Sequence, residues 1–329
     1  MAGSKKQAET DGAVLRDPVD REEQLLVRAA WLSYVCDLTQ AQIAKRLGLN
    51  RIRVNRMLAQ AREQGIVQIR INSKVTNCVA LEERLLQRYG LGEVIVVPSP
   101  PDEDLIPKTI AVAAGQALSA RIQDGMSIGI GWGRTLRLSV KSVAVRPVSG
   151  LTVVSLLGSL TSGSVLNAYE TASRFADLFD ARCHYFAAPI FADTEETRDL
   201  FIRERILQDA FEQARKVDLA FVSVGPMGRN TTNYQLGVVR EEDIGPLSKA
   251  GAVGDLCAHF IDENGELVDH PLNRRVIALP PKALRDVKTV ILASGGIAKV
   301  PVLRAALRLG VVDVLVTDER AAEGILAIP

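Results

Sequence analysis

Arg51, Arg53, Asn55 and Arg56 lie within six residues of one another, and their side chains suit the edges of base pairs. A guanidinium matches guanine bidentately and a carboxamide matches adenine. The segment that carries them repeats Val54, Met57, Leu58 and Ala61 at helical spacing, so the four polar side chains fall outside an apolar face. A helix that reads DNA needs a second helix to hold it across the groove, and residues 39–49 supply one. Thr39 followed by Gln42 is a capping box, Ile43, Ala44 and Leu47 make an inward face, and Gly48 suits the positive φ of a sharp turn. Asn50 is a good N-cap for the second helix. Residues 39–62 therefore predict a helix-turn-helix, with Thr39, Gln40, Asn50, Arg51, Arg53, Asn55 and Arg56 as the candidate contacts to duplex DNA.

Charge placement separates this reading from an ordinary helical hairpin. Residues 39–74 hold eight Lys or Arg against the single acid Glu63, a net +7 in a chain whose formal total is +1, so the remainder carries −6. A basic footprint confined to one motif, on a neutral or acidic body, is the electrostatic pattern of a DNA-binding module. Upstream, Leu25, Leu26, Ala29, Leu32 and Val35 predict a supporting helix over 21–36, and residues 1–20 read as a flexible polar tail. Downstream, IVQIRI at 66–71 predicts a short β-wing.

Hydrophobic residues make up 47% of the 329, enough to bury a large core beyond the basic module. No apolar run reaches the roughly 18 residues of a membrane span, and the polar start lacks a secretory core, so a cytoplasmic protein is expected. Cys36, Cys78, Cys183 and Cys257 are far apart, and His184, His259 and His270 have no zinc-ligand spacing. No metal or cofactor is expected. Cys183 beside His184 on a strand would point to the opposite face and is read as a buried thiol.

From residue 93 apolar runs alternate with helical patterns. Strands are expected at 93–98, 127–133, 151–158, 183–189, 219–225, 276–280, 289–296 and 312–318. Helices are expected at 106–121, 134–143, 167–179, 195–214, 300–309 and 320–326, with a hairpin at Asp262-Glu263-Asn264-Gly265. Continuous apolar strands between helices predict an α/β fold, a doubly wound, mostly parallel Rossmann-like sheet. The domains expected are 21–75 for DNA and 76–329 for a ligand-binding and oligomerising body, joined through a helix over 77–89.

Ligands of such sheets gather beyond the carboxyl ends of the strands. Gly131-Trp132-Gly133-Arg134-Thr135 follows one strand, where glycines admit an anion or sugar oxygen close to the backbone and Arg134 and Thr135 add a charge and a hydroxyl. A tight packing turn is the alternative. The stretch from 134 to 169 has no acid to hold a ribose, which argues against a dinucleotide. Trp132 is either a platform for a sugar ring or part of the core. Ser294-Gly295-Gly296 leads to Lys299, a second cationic candidate. Gly254-Asp255 closes a third glycine stretch, where Asp255 either accepts sugar hydroxyls or caps a turn.

With LTQAQIAKRLGLNRIRVNRML, GIGWGRTL, GAVGD, SGGIAK and ALRLGVVDVLVTDERAA in this order, the chain resembles the SorC family of sugar-responsive transcription regulators over nearly its whole length. The resemblance implies a C-terminal sheet of the phosphosugar-isomerase and glucosamine-phosphate-deaminase type in which sensing replaces catalysis. It implies a sugar, polyol or sugar-phosphate effector, palindromic operators, and homo-oligomers built as dimers of dimers. It further implies that Gly131, Gly133, Arg134 and Thr135 contact a phosphate or sugar oxygen, with Asp255 and Lys299 holding hydroxyls or the effector's other end. Some relatives capture an aldehyde through a lysine after the third strand. Residues 149–174 contain no lysine, so covalent capture there is not expected.

Two functions follow. One is a one-component regulator, most simply a repressor of a carbohydrate catabolic operon. The other is a phosphosugar isomerase or deaminase whose N-terminal motif serves assembly. Proton transfer between sugar carbons needs a base and commonly a second acid or base, and Asp255 has only His259 nearby in sequence. The regulator is the favoured reading.

Overall fold

The computed structural model describes residues 18–67, 75–160, 168–229 and 231–327, and the chain divides into two compact units, Met1–Ser73 and Lys74–Pro329. In the first unit α1 (Pro18–Tyr34), α2 (Gln40–Leu47) and α3 (Arg51–Glu63) share one core of Leu26, Ala29, Ala30, Ile43, Ala44, Val54, Met57, Leu58 and Ala61. The local rules explain the joints. The Thr39 hydroxyl accepts the Gln42 amide at 3.4 Å while the Gln42 side chain accepts the Thr39 amide at 2.9 Å, closing the capping box. Gly48 turns the chain at φ 66°, and Asn50 Oδ1 accepts the Arg53 amide at 2.7 Å to start α3.

Three expectations shift here. Helix α1 begins at Pro18, inside the stretch read as tail, and residues 1–17 lie outside the described residues. Val35, read as inward, follows the end of α1 and is exposed, because the core turns on Leu26, Ala29 and Ala30. Ile66 and Val67 form a bend, with the Val67 amide bonded to Ala61 O at 3.1 Å, and the rest of the expected wing lies outside the described residues.

The second unit opens with α4 (Val75–Tyr89), whose Cys78, Leu81 and Leu85 are buried. Ten strands follow among the described residues: β1 (Glu93–Val97), β2 (Ser127–Ile130), β3 (Thr152–Ser155), β4 (Arg182–His184), β5 (Leu219–Val222), β6 (Val224–Pro226), β7 (Gly254–Leu256), β8 (His259–Ile261), β9 (Thr289–Ala293) and β10 (Val314–Asp318). Seven form a sheet in the order β1-β10-β9-β5-β2-β3-β4, every neighbouring pair parallel. Alternate residues feed two cores: Leu219, Phe221 and Ile291 on one face, Ala220, Val222 and Leu292 on the other. Burial on both faces is why these strands read as continuous apolar runs.

The order places a reversal between β2 and β5. The chain leaves β2 outward to β3 and β4, returns to β5, and then moves the other way to β9 and β10. Adjacent loops that depart in opposite directions open a crevice at the carboxyl edge.

The sequence reading needs correction around this frame. Residues 219–225 are two strands, because the chain breaks at Ser223 and β6 joins a separate antiparallel sheet, β6-β7-β8, that carries Asp255 on β7. Residues 276–280 make only isolated bridges, Phe191 with Val276 and Leu157 with Ala278. The helix expected over 195–214 is interrupted at Glu204, whose ψ of 130° is extended. Cys183 is half-buried rather than buried, since β4 is an edge strand. The turn at 262–265 is present, closed by the Asp262 amide on Glu266 O at 2.8 Å.

Candidate functional site

The first unit presents α3 with Arg51, Ile52, Arg53, Asn55 and Arg56 exposed and Val54, Met57 and Leu58 buried beneath. Gln40 Nε2 donates to Asn55 Oδ1 at 3.2 Å, so the first residue of α2 braces the middle of α3. The hydroxyl of Thr39 and the Oδ1 of Asn50 are engaged by helix caps, which makes these two residues anchors of the motif before they are contacts. Arg53 stands 3.6 Å from Glu22, both exposed. Screening leaves such a pair weak and free to exchange for phosphate. Ile52 is absent from the sequence reading; its one signal is an apolar residue out of phase with Val54, Met57 and Leu58.

In the second unit the glycine loop follows β2 at the carboxyl edge, beside β5. The Gly131 amide donates to Phe221 O at 2.9 Å, and a Cβ on Gly131 would sit 3.3 Å from that same oxygen. Gly133 takes φ 131°, a conformation closed to other residues, and Arg134 starts α5 (Arg134–Ser139) exposed. Thr135, the next residue of that helix, is 2% exposed. Trp132 is also buried, packed in the larger apolar core with its indole near enough to Asp255 to favour the ionised carboxylate, so this side chain belongs to the core instead of offering a free ring face.

Asp255 is the centre of the buried polar groups. Its Oδ1 accepts Asn233 Nδ2 at 2.6 Å and its Oδ2 accepts the Ala258 amide at 3.2 Å. Burial pushes its pKa up to about 6, against the pull of those bonds, the Lys299 charge and the Trp132 indole. Lys299 donates to Ser294 Oγ at 3.1 Å, and Ser294 is reached in turn by Ser223 Oγ at 3.3 Å. Burial brings the Lys299 ammonium down to about 8, a shift opposed by Asp255 and Asp318 and reinforced by Arg134. A cation held below its usual range beside a second cation is a place where an anionic or hydroxyl-rich ligand gains most from binding.

Asp318 ends β10 fully buried. It accepts the Gly296 amide at 2.6 Å and the Ser99 hydroxyl at 2.5 Å, tying together three loops at the carboxyl edge. The structure thus brings Gly131, Gly133, Arg134, Asp255 and Lys299 to one edge, with Ser294 from the same glycine stretch as Lys299, and adds Asn233, Ser223, Asp318 and Ser99, which sequence reasoning missed. Serines and an acid just past buried apolar strands were the available signal. His259 does not join them. On β8 its Nδ1 contacts Cys257 O at 2.9 Å, burial brings its pKa down to about 4, and it lines a separate cavity with Arg198, Phe211 and Asn273. The Asp255–His259 acid–base pair considered for an enzyme is therefore not assembled.

A helix-turn-helix with a cationic outward face, in one chain with an α/β body whose polar groups converge at the strand ends, has the parts of a ligand-responsive transcription regulator. Comparison with known proteins agrees. The sugar-binding domain family model matches residues 73–327, and the Crp-like helix-turn-helix model matches residues 22–84. The erythritol catabolism regulatory protein EryD of Brucella abortus is 31% identical over 94% of this chain and 98% of its own. The deoxyribonucleoside regulator of Bacillus subtilis is 32% identical over 94% and 99%. Among solved structures, the full-length sorbitol operon regulator SorC of Klebsiella pneumoniae superposes with a TM-score of 0.69 at 27% identity, covering 93% of this chain and 99% of that one. The chain belongs to the SorC family of sugar-binding transcriptional regulators. It is a DNA-binding regulator with a small-molecule effector domain and not an enzyme, since the relatives that match over its full length are regulators. No helix among the described residues is long and apolar enough to cross a membrane.

Proposed function

We propose that this chain represses a carbohydrate or polyol catabolic operon, and that a sugar, polyol or sugar phosphate held at the carboxyl edge of β2, β5 and β9 sets its affinity for the operator. The supporting observation is the convergence of Lys299, Arg134 and the buried Asp255 around glycine loops that only glycine can form. Arg134 and Lys299 supply charge for a phosphate or electron-rich oxygens, and Asp255 accepts hydroxyls. The names of relatives fit this class: one is an erythritol catabolism regulatory protein and another a sorbitol operon regulator.

In this reading residues 21–75 read DNA through Gln40, Arg51, Arg53, Asn55 and Arg56, with Thr39 and Asn50 fixing the helix starts, and residues 76–329 bind effector and assemble the oligomer in the cytoplasm. A dimer of dimers would present paired recognition helices to a palindromic operator. An effector that binds one arrangement of the bodies better than another shifts the population toward it. A thermal-shift screen of sugars, polyols and their phosphate esters tests the pocket, because a ligand that binds only the folded state raises the melting temperature. The expected result is a rise with one carbohydrate that Lys299→Ala abolishes. A rise undiminished in that variant would place the effector elsewhere.

A further inference from the structure

Ile52 is 82% exposed, more than any other large apolar side chain among the described residues, and it is the second residue of α3. Its position is not marginal. Asn55 and Arg56 lie three and four residues after Ile52 and Ala59 three after Arg56, so the four share the face opposite Val54, Met57, Leu58 and Ala61. Ile52 therefore stands on the mid-line of the surface that a recognition helix turns toward the base pairs, and at its N-terminal end, where base edges are contacted. Arg51, Arg53 and Arg56 surround it, all exposed. A surface chosen only for attraction to phosphate would carry a polar residue there.

The major groove offers one apolar group to such a side chain, the 5-methyl of thymine. We infer that Ile52 is a specificity-determining residue, selecting thymine over cytosine at one position of each operator half-site by packing on that methyl group. The inference rests on α3 being the reading element. Asn55 and the arginines recognise hydrogen-bonding groups, and Ile52 adds a readout that hydrogen bonding cannot supply, since deleting the methyl leaves the donors and acceptors of the pair unchanged. Desolvating about one methyl group corresponds to roughly a fourfold change in affinity per half-site.

The test uses the full-length chain and the duplex it enriches from random DNA of about 30 base pairs, long enough for two half-sites a helical turn apart. Thymines are replaced one at a time by deoxyuridine, which removes the methyl and nothing else, and binding is measured for the wild type, Ile52→Ala and Arg56→Ala. The wild type is expected to lose roughly fourfold per half-site at one thymine. Ile52→Ala, which loses the contact in both half-sites, should bind the unmodified duplex roughly fourfold more weakly per half-site and no longer distinguish thymine from deoxyuridine there. Arg56→Ala should bind more weakly while keeping the distinction. Because Ile52 is 82% exposed, its variant should melt with the wild type. A wild type indifferent to every methyl, or a distinction that survives in Ile52→Ala, overturns the inference. With Arg56→Ala still impaired, α3 would remain the reading element; with neither variant impaired, that underlying reading fails as well.

Discussion

Asn233 Nδ2 stands 2.6 Å from Asp255 Oδ1, joining a short helix after β6 to the middle strand of the small sheet inside the protein. A buried carboxylate without such donors would take up a proton at neutral pH, so the amide keeps Asp255 available as an acceptor for hydroxyls. Asn233→Leu should raise the Asp255 pKa above about 6, weaken effector binding at neutral pH, and cost about 1–3 kcal/mol of stability through the unpaired carboxylate. Urea unfolding and ligand titration measure the two effects separately.

Effector binding should be bell-shaped in pH. Asp255 ionises with a pKa of about 6 and Lys299 loses its proton at about 8, so the anion-plus-ammonium pair exists chiefly between those values. Calorimetric titration across this range should show affinity falling on both sides. Lys299→Met should remove the alkaline limb together with most of the affinity.

Acid stability depends on two buried groups of opposite sign. His259 has a folded pKa of about 4 against 6.5 unfolded, so its contribution is present above pH 6.5 and is lost as pH falls toward 4. Asp255 has a folded pKa of about 6 against 3.8, so its contribution is complete below pH 3.8 and is lost as pH rises through 6. Each amounts to about 3 kcal/mol, and between pH 4 and 6 they nearly cancel. Asp255→Asn should expose the histidine's half, with stability falling as the solution is acidified through this window. His259→Gln should do the reverse, and a variant pair with the same pH dependence as the wild type would refute the assignment.

Gly225 packs against the same carboxylate. A Cβ there would lie 2.2 Å from Asp255 Oδ1, which Asn233 holds in place. Gly225→Ala should cost about 1–3 kcal/mol by overpacking and displace Asp255. The expected phenotype is DNA binding that no longer responds to carbohydrate, read by gel shift with and without effector.

Arg53→Ala should weaken operator binding by about 1–3 kcal/mol if the guanidinium reaches a base, and by a nearly sequence-independent amount if it reaches phosphate. The salt dependence distinguishes these, since each lost phosphate contact lowers the slope of log affinity against log salt by about 0.9. The carbohydrate-induced thermal shift should be unchanged in either case.

The helix-turn-helix was legible residue by residue because its determinants are local: the Thr39–Gln42 box, the Gly48 turn and the Val54–Ala61 face lie within a few residues of what they control. The parallel sheet was legible for the same reason, from strand-length apolar runs. Where the reading failed, the deciding contact was distant. Nothing in LAFVSVG says that Ser223 ends one strand and that Val224 pairs with Leu256, and nothing near Trp132 says that its indole meets Asp255. Asn233, Ser223 and Asp318 reached the site through tertiary folding alone. Ile52 was overlooked for a different reason, since periodicity sorts apolar residues inward and gives no role to one that faces out.

The most direct test of the account is the affinity of the full-length chain for a labelled duplex from upstream of its own gene, measured by fluorescence anisotropy with a panel of sugars, polyols and phosphate esters. One compound should change that affinity about 5- to 150-fold, the range of a coupling of about 1–3 kcal/mol. Lys299→Ala should bind the duplex as the wild type does without compound and show no change with it. An affinity that no carbohydrate alters, or a response that Lys299→Ala retains in full, would contradict the account.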